Sequence, residues 1–87
     1  MSKMRTIRLT TDGDFGAVMA ELGTVLEELR EAAEFTRRGL ATISWENGQG
    51  VSHATVRNVE QGHVNVTLHT LRAIGLALGH KIEITIS

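Results

Sequence analysis

The 87-residue chain has no cysteine and no proline, and its aromatic residues, 3% of the total, are Phe15, Phe35 and Trp45. The lack of cysteine excludes disulfides and thiolate metal sites, and it is compatible with a reducing, cytoplasmic setting. So few rings argue against binding single-stranded nucleic acid by base stacking, which needs several exposed aromatic side chains. No apolar run approaches the length of a membrane span. The first residues open into alternation, so no secretory signal is expected. With no proline, repeat or low-complexity stretch, no linker stands out, and residues 1–87 read as a single domain. So short a chain buries a modest core, which makes self-association a reasonable expectation.

A single strong charge sign is also missing. The net charge of −1 is poor for a nucleic-acid binder taken as a whole. Residues 1–35, however, hold four basic and seven acidic side chains, whereas residues 36–87 hold five basic and three acidic ones together with all four histidines. A DNA-facing surface would therefore belong to the second part. The glutamates at 21, 27, 28, 31 and 34 read as the solvated side of a helix.

What is present is periodicity. Residues 4–10 place Ile7 and Leu9 on one side, a short-strand pattern, and Thr11-Asp12-Gly13-Asp14 reads as a turn leading to a helix cap. Apolar residues at 15, 18, 19, 22, 26, 29 and 33 mark one face of a long helix. Thr36 caps a second helix with Leu40, Ala41 and Ile43 inward, and residues 46–50 form the strongest turn signal in the chain. Ser52 caps a third helix, running to about Gln61, with Gly62 at its end. Thr67 opens a fourth, with Leu68, Leu71, Ile74, Leu76 and Leu78 apolar, and Gly79 ends it. Residues 80–86 alternate strictly, placing Ile82, Ile84 and Ile86 on one face of a strand.

Enzymatic and metal chemistry find little footing. The histidines at 53, 63, 69 and 80 match no familiar ligand spacing, and no glycine-flanked nucleophile is present. One small core hardly encloses a substrate pocket, so neither a cofactor nor catalysis is expected. The better candidate is residues 50–62, Gly-Val-Ser-His-Ala-Thr-Val-Arg-Asn-Val-Glu-Gln-Gly. Val51, Val56 and Val59 anchor one side of a short helix, while His53, Ala54, Asn58 and, slightly to the side, Arg57 face out. A capped short helix with a polar front is what a protein presents to the major groove.

This run resembles the recognition-helix signature of the Xre/Cro superfamily of helix-turn-helix regulators. Phe35-Thr36-Arg37-Arg38-Gly39-Leu40-Ala41 resembles the segment that opens the first helix of that motif, and residues 67–79 are similar to the helix that follows it. The match spans roughly residues 29–79. It implies a mainly α, lambda-repressor-like domain of four helices with short terminal strands. The implied function is a homodimeric repressor on a palindromic operator of double-stranded DNA. The terminal strand further resembles antitoxins of the HipB kind, which implies autoregulation and a possible toxin partner; a phage or mobile-element repressor shares most of the pattern. A protein-interaction module with this fold that no longer binds DNA is the alternative from another class.

Carried over residue by residue, the resemblance makes His53, Ala54 and Asn58 base-reading, with Arg57 beside them. It makes Thr36, Arg37, Thr55, Gln61 and His63 phosphate contacts, and pairs Arg30 with Glu60 as a structural ion pair. Asparagine can bond adenine twice, and alanine can rest against a thymine methyl. Ile82, Ile84 and Ile86 are expected in a dimer interface, although the strand could equally pair with residues 4–10 of its own chain. One departure stands out: Thr42 through Gln49 occupy eight positions where the family has three. Either the second helix continues through Trp45 or the Glu46–Gly50 loop bulges.

Overall fold

A computed structural model describes residues 5–63 and 66–86, so Met4, expected to begin the first strand, lies outside the described residues. The order is β1 (Arg5–Thr11), α1 (Phe15–Ala32), α2 (Arg37–Glu46), α3 (His53–Glu60), α4 (Leu68–Ala77) and β2 (His80–Ile86). The chain is thus mainly helical with two short strands. No helix among the described residues is long and apolar enough to cross a membrane.

Each helix starts where a short polar side chain can take up an amide hydrogen that the first turn leaves unpaired. Asp14 accepts from Ala17, Thr36 from Gly39, Ser52 from Thr55 and Thr67 from Thr70. Helices α3 and α4 end ahead of Gly62 and Gly79, both at positive φ. Helix α1 ends differently, with Glu34 at φ 62° and the Phe35 N–H bonded to the Arg30 carbonyl. A non-glycine residue in that left-handed position costs roughly 1–2 kcal/mol.

The strands lie side by side and parallel, with Ile7 opposite Ile82, Leu9 opposite Ile84 and Thr11 opposite Ile86. Parallel neighbours need a long crossover, and here all four helices supply it. Arg8 meets Glu83 across the pair at 3.2 Å, an exposed contact that favours this register. Of the two pairings open to the terminal strand, the structure contains the one within the chain.

The core gathers Leu22 and Leu26 of α1, Leu40 of α2, Val56 and Val59 of α3, and Ile74 of α4, all almost fully buried. Each such side chain contributes about 1.5–3 kcal/mol relative to exposure. Ile7, Ile82 and Ile84 pack onto this cluster from the sheet. Gly23 lets α1 approach α3, since a methyl group there would collide with the carbonyl oxygens of Val59 and Glu60.

The apolar stripes reach further than the core does. Phe15 is 49% exposed and Ala33 is exposed, because α1 overhangs the shorter elements packed against its middle. Leu68, expected inward, is 78% exposed in the first turn of α4, and Leu76 and Leu78 are half-buried.

Candidate nucleic-acid interface

Helix α3 has eight residues, so it is about 12 Å long at 1.5 Å per residue, comparable to the width of a major groove. Val56, Val59 and Glu60 turn inward and Val51 is buried just before the cap. The opposite side carries His53 and Arg57, both exposed, and Ala54 and Asn58, half-buried. The spacing of four within each pair stacks them along one face. The four residues expected to read bases therefore share one face, and Gln61 and His63, also exposed, follow at its C-terminal end. Thr55 is half-buried, with its hydroxyl 2.9 Å from that of Ser52 inside the capping turn.

Behind this face sits a charge cluster. Arg30 donates from Nε to Glu60 Oε2 at 2.6 Å and from Nη2 to Oε1 at 3.1 Å, and its Nη1 donates to the Phe35 carbonyl at 2.7 Å. Glu60 is 2% exposed and Arg30 is 12% exposed. The Glu60 hydrogen bonds raise the Arg30 guanidinium above its ordinary value, outweighing the opposing effect of burial. This bidentate pair ties the end of α1 to the end of α3.

Arg37 is where the geometry departs from expectation. Its Nε donates to Glu60 Oε1 at 2.9 Å, and its Nη2 lies 3.7 Å from Glu27 Oε2. The guanidinium expected on a phosphate is held by two carboxylates of its own chain. Only the sequence neighbours differ from what the resemblance implied: Arg37 stands one position inside the α2 cap, within reach of the same Glu60 that Arg30 holds. Thr36 is exposed at that cap, though its hydroxyl already accepts from Gly39. Thr36, Arg37, Arg38 and His53 line one shallow depression between α2 and α3, with Glu27 and Glu31 on its far side.

The eight-residue connection is absorbed in two ways. Helix α2 runs through Trp45 to Glu46, and the remainder folds back on its last turn. Gln49 and Gly50 both donate their amide hydrogens to the Ser44 carbonyl, at 2.7 and 3.3 Å. The Ser44 hydroxyl, fully buried, accepts from the Val51 amide at 2.9 Å and stands 2.7 Å from the Ala41 carbonyl and 3.1 Å from that of Val51. Gly50, at φ +65°, lies under the Trp45 ring, where a side chain would press on it at 3.1 Å. Trp45 itself is 66% exposed. Sequence reasoning passed over Ser44; its signal is a hydroxyl one helical turn from Leu40, on the inward stripe.

Among the described residues no three histidine, aspartate or glutamate side chains converge as a metal site needs. No protein-family model matches the chain, and neither a curated protein nor a solved structure gives a significant match.

Proposed function

We propose that the chain is a sequence-specific DNA-binding repressor with a lambda-repressor-like fold, acting as a homodimer in the cytoplasm, with α3 as the groove-reading helix. The observation that carries this reading is the uncovered face of α3, where His53, Ala54, Arg57 and Asn58 lie together on a helix fixed from behind by valines and by the Arg30–Glu60 pair. Asn58 and Arg57 suit bonding to base edges, and Ala54 suits a thymine methyl. Gln61, His63 and Arg38, all exposed, flank that face as candidate phosphate contacts.

Two copies related by a two-fold axis set their α3 helices about one turn of DNA apart, ~34 Å, and read a palindrome. Ile82 and Ile84 pack on their own core, so of the three isoleucines expected between copies only Ile86, 64% exposed, is left. Ile86 stands opposite Thr11, from which the chain turns into exposed Phe15. This end of the sheet is the surface we assign to contact between copies. The biological setting we favour is an autorepressing antitoxin, on the resemblance of the terminal strand alone.

The second reading is a protein-interaction module, and one observation favours it: Arg37 is occupied by Glu60 and Glu27 rather than free for phosphate. Salt separates the two. Binding to duplex DNA from upstream of its own reading frame should weaken steeply as salt rises, since each phosphate contact releases a counterion. No retarded complex at low salt would sink the DNA reading.

A further inference from the structure

An apolar groove of about 610 Å³ lies between α4 and β2. Leu68, Leu71 and Leu76 form its helical wall, and Ile82 and Ile84 its strand wall. Nothing from β1 lines it, so the groove runs beside the edge of β2 that the two-stranded sheet leaves open. Such an edge presents backbone N–H and C=O groups to any extended chain laid beside it. Leu68, 78% exposed at the groove, is a large apolar side chain left in water.

The polar groups at this groove are of one sign. Arg72 and Lys81 line it, both are exposed, and neither has an ion-pair partner among the described residues. No acidic residue lines it. Glu83 points to the other face of β2 from Ile82 and Ile84, and Arg8 holds it there.

We propose that this groove receives an extended acidic segment of another protein, which adds as a strand to the open edge of β2. Side chains on one face of such a strand repeat about every 6.8 Å, so alternate apolar residues rest on Leu68, Leu71 and Ile82. The intervening carboxylates reach Lys81 and Arg72. A second copy of this chain is a poor occupant, because a two-fold axis brings the same patch against itself and so gathers two sets of Arg72 and Lys81 in one junction. No residue of α3 lines the groove, so the proposal stands apart from the DNA reading.

The test uses the full chain at low salt and a fluorescein-labelled heptapeptide of alternating glutamate and valine, with a lysine–valine twin as control. Fluorescence anisotropy should show the glutamate peptide binding roughly tenfold tighter than its twin, with added salt narrowing the gap. The Arg72→Glu/Lys81→Glu double variant should reverse that preference. Leu68→Ser should weaken the acidic peptide several-fold, roughly the loss of one apolar contact. All three side chains are exposed, and unchanged circular dichroism would establish that the variants fold. Equal affinity for the two peptides, or no binding of either, would overturn the proposal. So would a solution dimer that Leu68→Ser breaks while no peptide binds, which would make a second copy the occupant.

Discussion

Glu60 is the residue on which most depends. Its carboxylate, 2% exposed, is shared by Arg30 and Arg37, so three elements meet at one buried charge. Removing one partner of such a pair leaves the rest desolvated and unpaired, at a cost of roughly 3–5 kcal/mol. Glu60→Gln should therefore lower unfolding stability in urea by about that much, and Arg30→Met in the same chain should recover part of it. A loss below ~1 kcal/mol would show that water screens the pair. Glu34 offers the opposite sign. Held at φ 62°, it pays a backbone penalty that glycine avoids, though glycine also gains freedom in the unfolded chain. Glu34→Gly should raise stability by roughly 0.5–1 kcal/mol, and a drop in the urea midpoint would contradict this account.

At the scale of elements, most boundaries were legible because local chemistry sets them. Asp14, Thr36, Ser52 and Thr67 are caps by composition and position, and the valines at 51, 56 and 59 fall on the side that packs. What was not legible depends on neighbours distant in sequence. The stripe through Phe15 and Leu68 is apolar along its full length, but its burial depends on how far the opposing elements extend. Arg37 read as a free cation, since nothing local reveals that Glu60, 23 residues away, lies under it. The long α2–α3 connection left two conformations open, and Ser44 decides between them by bonding to Val51. Ser44→Ala would leave the buried Val51 amide without that partner, costing about 1–3 kcal/mol. Hydrogen exchange should show the Val51 amide opening faster in the variant; an unchanged rate would mean the loop is held elsewhere.

For the whole molecule, the polarity of charge noted in the sequence takes a spatial form. The acidic residues Glu27 and Glu31 of α1 border the depression that also holds Thr36, Arg38 and His53. A phosphate approaching Thr36 would meet those carboxylates, whereas the outward face of α3 carries Arg57 and His53. Specificity, on this account, rests more on base contacts from α3 than on a strong backbone grip, and affinity for random DNA should be weak even at low salt. The sheet closes the ends of the chain against the helices and turns Ile82 and Ile84 inward, which confines contact between copies to a smaller surface than the sequence suggested. The central claim, that α3 reads bases, is tested most directly by selecting a binding sequence from a randomised DNA pool and comparing it with random duplex for the natural chain and Asn58→Ala. The account predicts a loss of about 1–3 kcal/mol on the selected sequence and almost none on random DNA. Equal losses on both, or failure of the pool to converge on any sequence, would contradict it.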